Sequence, residues 1–191
     1  KVGYFLPELL GADKVLIGRD CRTSSPEIHE YLVKGITDAG ADVYDIGLST
    51  TPMVYFGTAN YGFKASVQIT ASHNPKEYNG YKAYGPDGCQ MTDDAAAIVY
   101  AEIQKTDVLT GAKYMSFAEG VEKGLIRFVG DDCKRALYDA IESRQVRPGL
   151  CKSAGLKLVY SPLNGSGLVP VTQVLKDIGI TDVTIVPEQE Y

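Results

Sequence analysis

The sequence predicts an α/β protein in which helices cover a mixed, largely parallel β-sheet in an α/β/α arrangement. Three observations lead to this fold class. Short β-branched apolar runs alternate with amphipathic helical patterns along the chain, and turns rich in glycine and proline separate them. The 191 residues, 45% hydrophobic and 23% charged, have the composition of soluble globular proteins. Strands and helices that alternate at these lengths are typical of a largely parallel sheet.

The first strand, KVLIG at residues 14–18, is followed by a helix pattern from Ser24 to Gly40. Ser24 and Glu27 have the spacing of a capping box, and proline is favourable in the first turn. Gly40 is suited to end the helix. The apolar positions that fall on one face are Ile28, Leu32, Ile36 and Ala39.

The next segments continue the alternation. Residues 64–70, KASVQIT, place Ala65, Val67 and Ile69 on one side of a strand and polar side chains on the other. An Asn-Gly turn then precedes a short strand. The remaining predicted elements up to residue 105 are a strand at 42–47, a short helix beginning near Pro52 and a helix that Thr92 caps.

The last third of the chain predicts the opening of a second unit. Its pattern is a strand at 124–130, a helix at 131–144 with Cys133, Leu137, Ala140 and Ile141 buried, a linker at 147–155, a strand–loop–helix segment and a strand at 182–186. We therefore predict a first domain over 1–125 and an incomplete second domain over 126–191. The loop PLNGSG, at 162–167, is either a phosphate cradle or a tight turn with Asn164 or Ser166 as helix cap.

Composition also excludes several classes of partner. The formal net charge is −5, and no basic cluster favours nucleic acid. No apolar stretch has the length of a membrane span, and the start lacks the pattern of a signal peptide. The four cysteines lack the spacing of a zinc site, which favours free thiols in a reducing cytoplasm.

A polar loop follows the apolar strand in ITASHNPKEYNGYK, residues 69–82. Ser72, His73 and Asn74 stand together before a proline, and Lys82 follows the Asn-Gly turn. Serine, asparagine and proline are common in ordinary turns. Loops at the carboxyl ends of strands, however, also carry the chemistry of α/β proteins.

Arg19 and Arg22 lie in a second polar segment, GRDCRTSS, between a strand end and a helix start. A serine with arginine and lysine nearby favours phosphate chemistry, since helix N-termini also attract anions. A hydrolase with Ser72 as nucleophile and His73 as base is disfavoured. Adjacent side chains on an extended backbone point apart, and no G-x-S-x-G motif surrounds Ser72.

These residues resemble the α-D-phosphohexomutase superfamily, the phosphoglucomutases and phosphomannomutases. TASHNPKEYNGYK is similar to the family's phosphoserine loop, T-[AG]-S-H-N-P followed by Y-N-G-x-K. VLIGRDCRTSSPE, GLSTTPM and LKLVYSPLNGSG resemble further family segments in the same order. The resemblance implies the layered fold of the first three phosphoglucomutase domains.

The resemblance also implies a mechanism. The serine matching Ser72 carries a phosphate, transfers it to a hexose phosphate and recovers a phosphate from the bisphosphorylated intermediate. Lys82 matches a lysine that transfers protons or stabilises charge, while His73, Asn74 and Arg22 support the loop. Mg²⁺ would contact Ser72 through its phosphate, and glucose 1,6-bisphosphate would be an activator. Phosphoryl transfer depends mainly on positioning and on cations around the phosphate oxygens.

Several family segments have no match in these 191 residues, including the aspartate-rich Mg²⁺ loop and the sugar-recognition loop. The prediction is therefore a fragment of a cytoplasmic enzyme that interconverts hexose 1- and 6-phosphates of glucose or mannose. The isolated fragment would be inactive, and its partners would be sugar phosphates and the C-terminal domains of the same polypeptide. The alternative is a non-catalytic sugar-phosphate-binding or assembly domain that retains the loop.

Overall fold

A computed structural model describes residues 1–71, 74–75, 77–107 and 115–190. The chain divides into two compact units, Lys1–Gly130 and Asp131–Tyr191. The division falls later than the predicted boundary after residue 125, because the strand near residue 126 pairs with the first sheet. The assignment of these units to evolutionary domains stays a prediction.

The first unit is a five-stranded sheet with helices. Its elements are α1 Val2–Leu10, β1 Lys14–Arg19, α2 Ser25–Asp38, β2 Asp42–Leu48, α3 Thr51–Asn60, β3 Ala65–Ile69, β4 Tyr81–Tyr84, α4 Asp93–Lys105, α5 Phe117–Glu122 and β5 Ile126–Phe128. The strand order is β4-β3-β1-β2-β5. Only the β3–β4 pair among these described strands is antiparallel. The predicted fold class, α/β with a mixed and mostly parallel sheet, is confirmed.

The central strand β1 is buried on both faces, as expected when helices cover a parallel sheet. Strand β3 beside it alternates as predicted. Ala65, Val67 and Ile69 join the hydrophobic core with side chains of α1 and α2, whereas Ser66 and Gln68 lie on the opposite face and are also buried. The sheet therefore has an apolar face and a partly polar face, and the polar one lies toward α3 because Ser66 accepts a hydrogen bond from Thr58 of that helix.

Helix α1 was not predicted, since it contains Pro7 and begins with a glycine in its first turn. It forms because it packs closely on α2. A Cβ atom placed on Gly3 would come within 2.3 Å of the Leu32 carbonyl oxygen, so only glycine allows this approach. Tertiary packing therefore overrides a weak local helix signal.

The predicted N-cap positions of two helices, Ser24 and Thr92, were confirmed, but neither side chain makes a capping hydrogen bond. Ser24 occupies the N-cap of α2 without a capping hydrogen bond, and its hydroxyl instead accepts a hydrogen bond from Asn79. Thr92 precedes α4 in extended geometry, again without a side-chain cap. The polar side chain at the start of α2 is thus bonded to a distant loop.

The second unit contains α6 Asp131–Glu142, α7 Leu150–Ala154, β6 Lys157–Tyr160, α8 Leu168–Asp177, β7 Asp182–Ile185 and a 3-10 turn at Pro187–Gln189. Strands β6 and β7 form a parallel pair. Helix α7 lies inside segment 147–155, whose turn residues predicted a linker. The buried stripe of α6 includes Tyr138, while Ile141 is exposed, so that predicted stripe was partly wrong.

The turn before α8 has two non-glycine residues of positive φ, Leu163 and Asn164. Gly167 occupies the N-cap of α8 and no side-chain hydrogen bond caps the helix. The expectation that Asn164 or Ser166 caps it was wrong. On α6, Arg135 forms ion pairs with Asp139 and with Asp177 of α8 at 2.8 and 2.7 Å. These bonds tie the two helices together.

In the part of the chain that the structure describes, no helix has the combination of length and apolar character that crossing a membrane requires.

Candidate active site

The two polar loops of the sequence leave the sheet side by side. Strands β1 and β3 are parallel neighbours whose last residues, Arg19 and Ile69, are register partners. The backbone N–H of Asp20 donates to the Ile69 carbonyl at 3.0 Å. The loop after β1 and the loop after β3 therefore begin at one point, at the carboxyl edge where open α/β sheets bind ligands.

Asp20 is a buried carboxylate at this point, with 6% of its surface exposed. It accepts hydrogen bonds from the Ser25 hydroxyl at 2.5 Å and from the Arg22 backbone at 3.1 Å, and it forms an ion pair with the Arg22 guanidinium. Burial by itself raises the pKa of Asp20, but hydrogen bonds from Ser25, Arg22 and Thr70 together lower that pKa below its usual value. Asp20 is therefore negatively charged at neutral pH.

Arg22 reaches from this carboxylate to the second loop. Its Nη2 donates to the Asn74 carbonyl oxygen at 3.0 Å, across 52 positions of sequence. The Asn74 N–H in turn donates to the Ala71 carbonyl at 3.0 Å. The structure thus brings together two predicted loop-support residues, Arg22 and Asn74, and their part in the chemistry stays a prediction.

Asn79 makes the second connection between the loops. Its Nδ2 donates to the Ser24 and Ser25 hydroxyls, both at 2.9 Å, and its Oδ1 accepts the Gly80 N–H at 2.8 Å. The sequence pattern identified Asn79 only as part of a turn. Its bonds reach residues 55 and 54 positions away, so no local pattern could have indicated them.

Lys82 lies on the edge strand β4, opposite Gln68 in the antiparallel pair. Its neighbour Ala83 packs against the core that α1 and α2 share, so the alternation of the strand directs Lys82 to the other face. The residue is half-buried. Among the described residues the Lys82 ammonium has no hydrogen bond or ion pair.

Ser72 and His73, the predicted nucleophile and its neighbour, lie outside the described residues. The structure describes the chain on both sides of them, through Ala71 and from Asn74. Both flanking residues belong to the hydrogen-bonded arrangement described above.

A groove of about 420 Å³ lies beside β4, between α1 and α4. Lys82 contributes to its rim, but the other lining side chains are mainly apolar and include Leu6, Met91, Val99 and Ile103. A phosphate needs hydrogen-bond donors and cations, which this groove largely lacks. The loops at the carboxyl edge of the sheet fit a phosphate group better.

In the described ranges, no group of three or more His, Cys, Asp or Glu side chains is placed so that it could hold a metal ion. Asp20, the carboxylate nearest the loops, already binds Arg22 and Ser25. Mg²⁺ prefers about six oxygen ligands, and the described side chains do not fit it.

Comparison with known proteins gives a consistent result. The family model described as phosphoglucomutase/phosphomannomutase, alpha/beta/alpha domain I, matches residues 1–109. Relatives named phosphoglucosamine mutase include one of Caldicellulosiruptor bescii, 30% identical over 95% of this chain, and one of Cereibacter sphaeroides, 32% identical over 92%. The chain spans only 38% and 37% of the lengths of these two relatives.

Among solved structures, a crystal structure from Thermus thermophilus that carries the name phosphomannomutase covers the whole chain with a TM-score of 0.80. The chain covers 41% of that protein, and the two are 20% identical in sequence. At this identity the likeness shows the fold alone, which agrees with the fold class predicted from the sequence.

Proposed function

Because the chain belongs to the phosphoglucomutase/phosphomannomutase family, we propose that the full-length protein is a phosphohexomutase. It would move a phosphoryl group between the 1- and 6-positions of a hexose through a phosphorylated Ser72. The observation that carries the proposal is the Arg22–Asn74 contact, which holds the chain next to Ser72 against the start of α2.

The surroundings of the loop have the chemistry that phosphoryl transfer requires. Helix α2 is 14 residues long, and its N-terminus lies at the loop through the bonds of Asn79 to Ser24 and Ser25. A helix N-terminus favours a negatively charged group. Arg22 adds a guanidinium near the loop backbone, and such positive groups stabilise charge on a transferring phosphoryl group.

We assign the roles as follows. In the forward step the bond between phosphorus and the Ser72 oxygen breaks, and a bond from phosphorus to the sugar hydroxyl oxygen forms. The Lys82 ammonium gives a proton to the departing Ser72 oxygen and takes the proton of the sugar hydroxyl, so that Ser72 is left as a hydroxyl. When the second phosphoryl group returns to Ser72, Lys82 takes the Ser72 proton and gives one to the departing sugar oxygen. His73 and Asn74 shape the loop and transfer no proton.

Mg²⁺ and glucose 1,6-bisphosphate remain proposals for the full-length protein. When bound, the ion would supply positive charge to the phosphoserine oxygens. The described side chains do not form a site for it, so we derive no step through the metal. The cytoplasmic location predicted from the cysteines is a proposal as well.

The sugar is the least constrained part of the proposal. The family resemblance names glucose and mannose phosphates without deciding between these and other sugars, whereas the two curated relatives are named for glucosamine. We propose that the substrate is a hexose phosphate and that glucosamine phosphates should be assayed beside the other two sugars.

The test is an assay of the purified full-length protein with each hexose 1-phosphate, in the presence of Mg²⁺ and the matching bisphosphate. A mutase forms the 6-phosphate, gains the mass of one phosphate on Ser72, and loses both properties in Ser72→Ala. The alternative, a non-catalytic binding or assembly domain, predicts that sugar phosphates bind with no turnover and no incorporation. Equal incorporation by wild type and Ser72→Ala would contradict the assignment of Ser72.

A further inference from the structure

We propose that Asp20 is a positioning residue that fastens the loop after β3 to the start of α2 at two points, Asn74 and Asn79. The inference rests on the proposed function for its catalytic consequence, but its structural content does not depend on that function. The loop has two described anchors, at Asn74 and at Asn79. Arg22 links the first to the buried Asp20 carboxylate, and Ser25 links the second to it.

The first arm runs through Arg22. Asp20 accepts the Arg22 backbone N–H at 3.1 Å and pairs with its guanidinium, and this fixes the guanidinium while leaving Nη2 directed at Asn74. An arginine side chain has many rotamers, and a charge pair at its base reduces them. Without Asp20 the guanidinium would lose its fixed direction, and the Asn74 carbonyl would lose its donor.

The second arm runs through Ser25. Its hydroxyl donates to Asp20 at 2.5 Å and accepts from Asn79 Nδ2 at 2.9 Å. A hydroxyl has one proton, so donating it to Asp20 turns the oxygen lone pairs toward Asn79. The carboxylate therefore sets the direction of the second anchor as it sets the first.

Burial makes this arrangement sensitive to the charge of Asp20. Asp20 is 6% exposed and Ser25 is fully buried, so water cannot readily replace a lost partner. Asparagine has nearly the size of aspartate, but it lacks the charge and presents an amide N–H₂ toward groups that themselves donate. The asparagine oxygen can still accept from Ser25 and from the Arg22 N–H, which both bond to Asp20 Oδ1, but its N–H₂ then faces the Arg22 guanidinium that Oδ2 holds. Asp20→Asn should therefore release the Asn74 anchor without leaving a cavity, and Asp20→Ala, which removes both oxygens, should release both anchors.

The matched control is Asp45→Asn. Asp45 is equally buried, at 5% exposure, and accepts the Gly47 N–H at 2.7 Å near the end of the neighbouring strand β2. The other described partner of its carboxylate is His29, at 3.2 Å, and this carboxylate has no described contact with the loop after β3. Both variants replace one buried carboxylate by an amide, but only Asp20→Asn does so next to the anchors of the loop.

The experiment is amide hydrogen exchange on the full-length protein, followed at the amides of Asn74, Tyr78 and Gly80. Asp20→Ala should accelerate exchange at all three amides about tenfold, the effect of losing one hydrogen bond to a charged group, and Asp20→Asn should accelerate Asn74 by a similar factor. Asp45→Asn should leave them within about twofold of wild type. Two further variants separate the arms: Arg22→Gln should accelerate Asn74 alone, and Ser25→Ala should accelerate Gly80 alone.

Activity gives the second readout. A misplaced catalytic loop lowers kcat by about 10²-fold with a smaller change in KM, and Asp20→Glu should not rescue kcat because its longer side chain moves the charge. Unchanged exchange in Asp20→Asn, Arg22→Gln and Ser25→Ala would overturn the inference, as would equal acceleration by Asp45→Asn. If wild type shows no mutase activity, the proposed function fails, and the exchange data still decide the role of Asp20.

Discussion

Gln68 and Ser49 exchange two hydrogen bonds beneath the candidate site. Gln68 Nε2 donates to the Ser49 carbonyl at 3.1 Å, and the Ser49 hydroxyl donates to Gln68 Oε1 at 3.2 Å. Both residues are about 1% exposed. The pair joins β3 to the segment that follows β2. This buried polar contact therefore connects the two elements next to the carboxyl edge of the sheet.

We expect Gln68→Leu to lower the free energy of unfolding by about 1–3 kcal/mol, because the buried Ser49 carbonyl loses its donor. Urea denaturation of the chain measures the change. Gln104→Leu, on the exposed face of α4, is the control and should change stability by less than about 0.5 kcal/mol. A Gln68→Leu variant as stable as wild type would show that the pair contributes little.

Gly18 lies directly against this pair, at the irregularity in the pairing of β1 with β2. A Cβ there would approach the Ser49 hydroxyl oxygen to 2.3 Å and a Val54 methyl to 2.7 Å. We therefore expect Gly18→Ala to destabilise the chain by about 1–3 kcal/mol through overpacking. Its control is Gly80→Ala, where the nearest atom would be 3.9 Å away; equal midpoints for the two variants in thermal melting would contradict the expected crowding.

The sequence predicted most strands because their apolar runs depend on local pattern. Alternation in β3 was confirmed, since the apolar residues Val67 and Ile69 face the core. The missed elements depend on tertiary packing. Helix α1 contains Pro7 and is held by the close approach of Gly3 to α2, which no local pattern reports.

The candidate site was predictable in part for the same reason. The residue types of the loop after β3 indicated phosphate chemistry, and their motif identified the family. The roles of Asp20 and Asn79 were missed, because their partners are separated in sequence and meet only when β1 and β3 pair. Ser24 occupies the predicted N-cap position, but its hydroxyl accepts a hydrogen bond from Asn79 and makes no capping hydrogen bond.

The charge of Asp20 makes part of the stability depend on pH. Its pKa in the folded chain lies below the usual value. Burial raises this pKa, but the hydrogen bonds from Ser25, Arg22 and Thr70 together lower it by more. The unfolded chain thus binds a proton at higher pH than the folded chain does. The stabilisation is fully present above the unfolded pKa of about 3.9 and is lost as pH falls through the folded pKa.

We therefore expect the stability difference between wild type and Asp20→Asn to be largest near neutral pH and to shrink below about pH 4. Urea denaturation at a series of pH values measures it. The Gln68→Leu variant carries no titrating change and should keep a constant difference across the same range. A difference between wild type and Asp20→Asn that does not vary with pH would show that the carboxylate charge contributes no stability.

Lys82 gives the sharpest test of the proposed chemistry. It lies on the opposite face of β4 from Ala83, which packs into the core, so its removal leaves no cavity there. We expect Lys82→Ala to change the free energy of unfolding by less than about 0.5 kcal/mol and to lower kcat by about 10²–10⁴-fold, as for a general acid or base. Lys82→Arg should not restore the rate, because arginine keeps the charge but does not release a proton at neutral pH.

The measurement pairs the mutase rate with the melting temperature in the full-length protein. Lys105→Ala is the matched control, since Lys105 is 68% exposed on α4 and pairs only with Glu102 among the described residues; its rate should equal that of wild type. Lys82 variants that retain a rate within about threefold of wild type would exclude the lysine from the chemical step. In that case the proton of the sugar hydroxyl must pass to another group, and Arg22 cannot take it, because the guanidinium stays protonated at neutral pH.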